Sequence, residues 1–175
     1  MTEELKEEHR KIKSFTKVGD RGMTVIGYEE DGITPLPTVR KNSPLIELTG
    51  EIDELSAVLG LCEGRIFRGY QKLLSDIMGM IYLGKIDAPL IKGKIIKMEK
   101  FCLKHEDDLP DKFEILTGQI NMARTICRRV ERRLWTVLES GMGKVEGMNT
   151  LGAFFNRFSS WLYVNIMAEV DIDEI

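Results

Sequence analysis

The stretch INMARTICRRVERRLW, residues 120–135, combines an apolar seam with a row of arginines. Its apolar side chains recur at alternating spacings of three and four residues, which is typical of a helix packed along others in a bundle. They are Ile120, Ala123, Cys127, Val130 and Leu134, and Val137 continues the series. The sequence therefore predicts a long helix with one buried face.

The arginines lie beside this seam and are accompanied by one acid, Glu131. They are Arg124, Arg128, Arg129, Arg132 and Arg133. At about 100° per residue, Arg124, Arg128 and Glu131 share a stripe roughly 60° wide on the helix. Guanidinium groups are planar and permanently charged, and they bind phosphate through paired hydrogen bonds. This helix alone is compatible with phosphate binding and with a solvated basic face.

Length, composition and charge exclude several classes of protein. A chain of 175 residues with 43% hydrophobic and 30% charged residues suits one soluble globular domain. The net charge of −3 makes the arginines a local patch, which argues against nucleic-acid binding. No apolar run approaches the roughly 18 residues of a membrane span, and the charged N-terminus is unlike a secretory signal. The cysteines fall on helical patterns, so we predict buried, reduced thiols. Together these features predict a cytoplasmic location and no membrane partner.

The periodicity of the whole chain predicts an all-α fold, a five-helix bundle of the up-and-down type with an N-terminal nucleotide-binding loop. Five helices are predicted. The first begins at residue 45, the second spans residues 70–83, and the third runs from Asp87 as N-cap to about residue 104. The fourth contains the arginines, and the fifth spans residues 151–169. No segment alternates with period two for long enough to predict a sheet. Residues 1–13 are predicted as a charged arm, and residues 14–175 as a single domain.

Residues 14–27, SFTKVGDRGMTVIG, combine glycine turns with hydroxyl and cationic side chains. Glycine-rich backbone of this composition wraps phosphate oxygens through its N–H groups. The segment matches neither GxxxxGK[ST] nor GxGxxG, so it is neither a P-loop nor a Rossmann turn. The residues alone are compatible with a phosphate-binding loop and with an ordinary surface turn.

Other catalytic and metal sites lack their characteristic residues. The two histidines, His9 and His105, do not stand in the Glu-x-x-His pairs of a di-metal bundle. The chain has no Cys-x-x-Cys pair for zinc, and its histidines lie in charged segments unsuited to a Ser–His–Asp triad. The sequence therefore offers no nucleophile or acid–base constellation.

Four separated segments together resemble the PduO-type, or MMAB-type, ATP:cob(I)alamin adenosyltransferases. FTKVGDRGMT is similar to the N-terminal signature of that family, and LTGEIDELSAVLG to the start of its first helix. ARTICRRVERR resembles the family's most specific motif, and FFNRFSSWLYV resembles its last helix. The segments occur in the family's order between residues 14 and 168, so the resemblance covers nearly the whole chain.

The resemblance implies a homotrimer of helical bundles with ATP bound between subunits. It also implies transfer of the 5′-deoxyadenosyl group of ATP to cob(I)alamin, with release of triphosphate. Because Co(I) of the substrate is the nucleophile in that family, the protein is expected to supply positioning and charge stabilisation. The expected small molecules are ATP with Mg²⁺ on its phosphates, and a cobalamin that is a substrate.

Matched position by position, the resemblance assigns most of an ATP site. The residues expected to wrap the triphosphate are Thr16, Lys17, Val18, Gly19, Asp20, Gly22 and Thr24. The other expected ATP-binding residues are Lys41, Arg128, Arg129, Glu131, Arg132 and Asn156. The residues assigned to catalysis are Arg128, Arg124 and Asp53. Asp53 and Arg124 are expected to form a salt bridge between subunits.

The differences from the family pattern concern the cobalamin half of the site. Asn121 stands where the family usually has histidine, and Ser160 stands where the last-helix motif has aspartate. The segment DLPDKFEILTGQINMART matches the family poorly, and Phe113 is the candidate aromatic residue for the corrin face. Two alternatives therefore stay open: an ATP-binding bundle that has lost corrin chemistry, and a structural bundle with solvated arginines.

Overall fold

In the computed structural model, the described residues are 17–26, 34, 38–112, 115–141 and 145–167. Within them the fold consists of five α-helices preceded by a short 3₁₀ helix and a two-stranded hairpin. The helices are α1 (Pro44–Leu59), α2 (Arg65–Tyr82), α3 (Ala88–Lys104), α4 (Gly118–Ser140) and α5 (Thr150–Met167). The predicted helical class with five helices is confirmed.

The sequence pattern did not predict the hairpin or the short 3₁₀ helix before it. β1 (Met23–Val25) pairs antiparallel with β2 (Thr38–Arg40), and the 3₁₀ helix Lys17–Arg21 leads into β1. Strands of three residues are too short for a period-two alternation to stand out from the surrounding loop. The hairpin thus fixes the N-terminal loop beside the start of α1.

Helix ends follow local chemistry. Pro44 is the first residue of α1. A backbone N–H at this position would have no acceptor within the helix, so proline costs no hydrogen bond there. Asp87 caps α3 as predicted, its carboxylate accepting the backbone N–H of Leu90 at 3.0 Å. Helix α4 ends at Gly141, whose φ of 66° is the left-handed conformation that glycine tolerates. Helix α2 begins before residue 70 because Phe67 in its first turn is fully buried.

Helix α4 lies in the middle of the packing order, along both α1 and α5. Helix α5 also packs along α3, and α1 packs along α2. The predicted seam of α4 is buried from Ala123 to Val137, and Ile120 is partly buried against the same core. This packing presents the two flanks of α4 to different neighbours.

An aromatic layer from α5 fills the core between the helices. Its fully buried members are Phe154, Phe155, Phe158 and Trp161. Tyr70 of α2 stacks on Phe158 with ring centroids 4.5 Å apart, which links α2 to the same layer. No helix in the described part of the chain is both long and apolar enough to cross a bilayer.

Candidate active site

The hairpin brings the N-terminal loop against Lys41. The backbone N–H of Lys41 donates to the carbonyl of Gly22 at 2.9 Å, and the N–H of Gly22 donates to the carbonyl of Gly19 at 3.2 Å. A Cβ on Gly19 would lie 2.6 Å from Nζ of Lys41, so glycine allows the ammonium to approach the loop closely. The structure therefore places the predicted phosphate loop beside the predicted phosphate-contacting lysine.

The remaining loop residues are presented at the surface. The side chains of Lys17 and Asp20 are exposed, and Thr24 is partly buried within β1. Gly22 has a φ of 72°, a conformation that a side chain would strain. Thr16 and the side chain of Val18 lie outside the described residues.

Arg124 and Arg128 face α5 across a cavity of about 320 Å³. The other polar groups that line it are Cys102, Ser159, Ser160 and Tyr163. Within the described residues, the side chain of Arg128 forms no ion pair or hydrogen bond, so its guanidinium is available to a ligand. Paired guanidinium groups surrounded by hydroxyl groups form a site suited to a polyanion.

Arg124 is oriented by the turn that precedes its helix. Its Nε donates to Oδ1 of Asn121 at 3.0 Å. The Asn121 amide nitrogen in turn donates to the carbonyl of Leu116 at 2.8 Å. Asn121, noted in the sequence as a departure from the family, therefore connects Arg124 to the segment before α4. Sequence patterns alone did not indicate this contact.

Glu131 and Asn156 are brought together where α4 meets α5. Nδ2 of Asn156 donates to Oε1 of Glu131 at 3.2 Å. Arg157, which the sequence analysis did not assign, donates through Nη1 to Oδ1 of Asn156 at 2.7 Å and through Nε to Glu99 of α3 at 2.8 Å. The Asn156 amide is thus held from both sides. In the sequence, the feature that could have indicated a role for Arg157 was its position directly after Asn156.

The other flank of α4 turns toward α1. Arg129 pairs with Glu54, and Arg133 pairs with Glu47 at 2.7 Å and with Glu51 at 3.2 Å. Sequence reasoning missed these acids, although residues 47, 51 and 54 recur at helical spacing on α1. Arg124 and Arg128 therefore lie at the α4–α5 cavity, whereas Arg129 and Arg133 are bound to α1.

Arg129 and Arg132, both expected to bind ATP, lie beside a further cavity of about 320 Å³ that Glu51 and Arg133 also line. Nη1 of Arg132 donates to the carbonyl of Arg128 at 3.0 Å. Within a single protomer, Arg129 therefore does not line the α4–α5 cavity at which Arg128 lies. Any contact of Arg129 with the same nucleotide stays a prediction.

Asp53 is exposed on α1 and forms no ion pair within the described residues. The structure contains one protomer, so the expected pair between Asp53 and Arg124 of neighbouring subunits stays a prediction. Phe113, the candidate residue for the corrin face, lies outside the described residues. The residues that would contact cobalamin therefore stay a prediction.

The cysteines are poorly suited to act as nucleophiles. Burial raises the pKa of the Cys127 thiol, whose Sγ donates to the carbonyl of Phe155 at 3.3 Å. Burial also raises the pKa of Cys102, which lines the α4–α5 cavity beside Arg124 and Arg128. Neutral thiols are weak nucleophiles, so these side chains supply packing and polarity rather than covalent catalysis.

The described residues contain no group of three or more His, Cys, Asp and Glu side chains placed to hold a metal ion. Magnesium needs several oxygen ligands in an octahedral arrangement and commonly takes some of them from substrate phosphates. The Mg²⁺ ion expected on the phosphates of ATP stays a prediction.

The chain matches a known family of transferases over most of its length. A family model for cobalamin adenosyltransferase matches residues 14–169, and the chain belongs to this family. The resemblance predicted from the four sequence segments is therefore confirmed, as is the class of enzyme. The match includes the N-terminal loop, the arginine helix and the last helix.

Individual relatives agree over most of the chain. A cobalamin adenosyltransferase of Cupriavidus metallidurans is 30% identical over 172 residues, which cover 89% of this chain and 87% of that protein. The corrinoid adenosyltransferase MMAB of Mus musculus is 25% identical, with 86% of this chain and 70% of that protein covered. The corrinoid adenosyltransferase PduO of Salmonella typhimurium is 26% identical, and the chain covers 49% of its length.

Solved structures confirm the fold. A variant PduO-type ATP:corrinoid adenosyltransferase from Lactobacillus reuteri, complexed with ATP, has a TM-score of 0.62 at 23% identity, with 90% of this chain and 93% of that chain covered. A second variant from the same organism, complexed with cobalamin and ATP, has a TM-score of 0.56 at 21% identity. At these identities the likeness concerns the backbone fold.

Proposed function

We propose that this protein transfers the 5′-deoxyadenosyl group of ATP to cob(I)alamin and releases triphosphate. The observation that carries the proposal is the α4–α5 cavity, where Arg124 and Arg128 face the hydroxyl groups of Ser160 and Tyr163. Membership of the cobalamin adenosyltransferase family supports the same reaction. The relatives' names supply its two substrates, a corrinoid and ATP.

The proposed step is a displacement at C5′ of ATP. Co(I) supplies the electron pair for the new Co–C bond, the C5′–O bond breaks, and its electrons leave on the triphosphate. Negative charge therefore develops on the leaving phosphate, where Arg128 stabilises it. Because the substrate is the nucleophile, the buried neutral thiol of Cys127 is consistent with this chemistry.

The triphosphate has two binding elements in this chain. One is the N-terminal loop with Lys41, and the other is the guanidinium of Arg128 with the Glu131–Asn156 pair beside it. Within the described residues, no hydrogen bond or ion pair joins residues 17–26 to α4 or α5. A homotrimer would complete each site by placing the loop of one subunit beside the arginines of the next.

Magnesium enters the proposal as part of the nucleotide, because the described side chains contain no cluster that would retain it alone. Oxygen atoms of the ATP phosphates would be among its ligands. A cytoplasmic location is proposed as well, since the three cysteines are free thiols of the kind a reducing compartment maintains.

An anaerobic assay with cob(I)alamin and Mg-ATP tests the reaction, and calorimetric titration with ATP tests the nucleotide site. Adenosylcobalamin formation with release of triphosphate is the expected result. ATP binding without turnover would instead support an ATP-binding bundle that has lost corrin chemistry, for which Ser160 in place of the family's aspartate is the favouring observation. Absence of both binding and turnover would leave a structural bundle with solvated arginines.

A further inference from the structure

A third cavity, of about 260 Å³, lies between α2, α3 and α5 and shares no lining residue with the α4–α5 cavity. Three aromatic side chains line it, together with the aliphatic side chains of Ile66 and Met98. Tyr70 and Trp161 have ring centroids 4.9 Å apart, and Phe101 lies 5.9 Å from Trp161. None of these residues has a part in the proposed adenosyl transfer, so the cavity is open to a separate role.

On the α2 side, the lining of this cavity includes Gly69. A Cβ built on Gly69 meets no other atom within 4 Å. An apolar cavity of about 150 Å³ is known to accept benzene. The present cavity is larger, so it has room for a benzene-sized ring and one polar substituent.

The polar groups of the cavity are cationic or neutral donors. Lys94 and Lys97 of α3 line it, and within the described residues neither ammonium forms an ion pair or a hydrogen bond. No carboxylate lines the cavity, and the nearby Glu99 is engaged by Arg157 at 2.8 Å. Two free ammonium groups beside aromatic walls attract an anion that carries an apolar ring.

We propose that this cavity binds a small aromatic carboxylate, with its ring against Tyr70, Phe101 and Trp161 and its carboxylate at Lys94 and Lys97. The aromatic walls account for selection of the ring, and the unpaired lysines account for selection of the charge. This cavity shares no lining residue with the α4–α5 cavity that carries the proposed function.

The test uses benzoate as the probe and the full chain carrying Trp135→Phe, which leaves Trp161 as the single fluorophore of its type. Benzoate should change Trp161 emission saturably, with a Kd of about 1 mM or tighter. Benzyl alcohol, which keeps the ring and lacks the charge, should bind at least about tenfold more weakly. Equal binding of the two compounds, or no saturable signal from benzoate, would overturn the proposal.

Two variants locate the binding. Lys94→Gln with Lys97→Gln should weaken benzoate about tenfold or more, since two charge-assisted contacts are removed. Lys92→Gln with Lys100→Gln is the matched control, because these exposed lysines of the same helix do not line the cavity. Loss of affinity in the control, or retention in the first pair, would contradict the site.

Gly69→Leu adds an independent test, because its side chain would occupy the open wall while improving helix propensity. It should abolish the benzoate signal with the helical circular dichroism retained. Saturating ATP should leave benzoate affinity unchanged. Displacement of benzoate by ATP would place the probe at the α4–α5 cavity and would overturn the proposal. This outcome is independent of whether adenosyl transfer is observed.

Discussion

Arg128 presents an exposed guanidinium at the α4–α5 cavity, while its backbone carbonyl accepts a hydrogen bond from Arg132 at 3.0 Å. Because the side chain lies off the buried seam, Arg128→Ala removes little packing. We expect the rate of adenosyl transfer to fall about 10²–10³-fold, as for removal of one preorganised charge-stabilising donor. The free energy of unfolding should change by less than about 0.5 kcal/mol.

The measurement is anaerobic turnover, with thermal unfolding followed on the same protein. Arg68→Ala is a matched control, since Arg68 is an exposed guanidinium on α2 that lines neither arginine cavity. The control should keep the turnover of the parent chain. Parent-like turnover by Arg128→Ala would remove Arg128 from the proposed phosphate site.

Tyr70 predicts a pH dependence of stability. Burial, with the nearby Cys102 adding to the effect, raises the pKa of Tyr70 to about 12. The folded state therefore favours the neutral phenol, and this contribution is fully present below the unfolded pKa of about 10. It is lost as the pH rises through the folded value of about 12.

Tyr70→Phe should accordingly reduce the fall in unfolding free energy between about pH 9 and about pH 11.5 in urea titrations. Tyr82→Phe is the comparison, because the Tyr82 hydroxyl donates to Oγ1 of Thr49 at 3.0 Å. That variant should lose stability already at the lower pH. An unchanged alkaline slope in Tyr70→Phe would show that Tyr70 does not titrate as described.

At the scale of the helices, ion pairs fix α4 against α1. The side chain of Glu51 is 13% exposed and lies between Arg129 and Arg133, with Oε1 3.2 Å from Nε of Arg133. Glu51→Gln should lower the free energy of unfolding by about 1–3 kcal/mol, because two partly buried guanidinium groups lose their shared carboxylate. Chemical denaturation measures the change.

Glu54→Gln provides the matched control for Glu51→Gln. The Glu54 side chain is 50% exposed and pairs with Arg129 at the surface, so solvent screens the interaction. The control should change stability by no more than about 1 kcal/mol. Equal effects of the two substitutions would show that burial does not distinguish these ion pairs.

The N-terminal loop should respond to nucleotide. Residues 17 and 19–26 are exposed or partly buried, and the main attachments of the loop are the hairpin and the Lys41 backbone bond to Gly22 at 2.9 Å. Phosphate contacts would add hydrogen bonds that the loop lacks alone. Hydrogen exchange at these residues should slow when Mg-ATP is added, whereas unchanged exchange would count against a phosphate-binding loop.

Sequence patterns predicted the helices of this fold better than its side-chain contacts. The seam through Ala123, Cys127 and Val130 was readable because burial of one helix face imposes a period on the sequence. The sequence did not predict which arginines lie at the α4–α5 cavity and which pair with acids of α1, since this depends on which helix packs on each flank of α4. The pairing of Arg129 with Glu54 joins positions 75 residues apart and follows from the fold alone.

The site shows the same contrast between motif and geometry. The N-terminal loop and Lys41 were predicted from their resemblance to a family, and the hairpin places them side by side. The role of Asn121 in holding Arg124 was not predictable, because an amide has no preferred partner in a sequence. Resemblance to a family thus indicated the expected ligand, while tertiary packing determined which side chains share a cavity.

At the scale of the whole molecule, the assembly expected from the resemblance rests on two charged side chains. Asp53 is exposed without an ion pair in the described residues, and Arg124 is only partly buried beside the α4–α5 cavity. If both were solvated in the assembled protein, replacing either would change stability by less than about 0.5 kcal/mol. A pair between subunits would instead be partly desolvated, and its disruption would be costly.

Asp53→Arg or Arg124→Asp alone should therefore weaken both the trimer and adenosyl transfer, because like charges would then face each other across the interface. The double exchange restores opposite charges, so it should recover at least part of the assembly. Sedimentation velocity of the three variants at matched concentration measures the assembly, with anaerobic turnover followed in parallel. If both single variants stay trimeric and active, Asp53 and Arg124 do not pair between subunits, and their charges serve only the solvated surface.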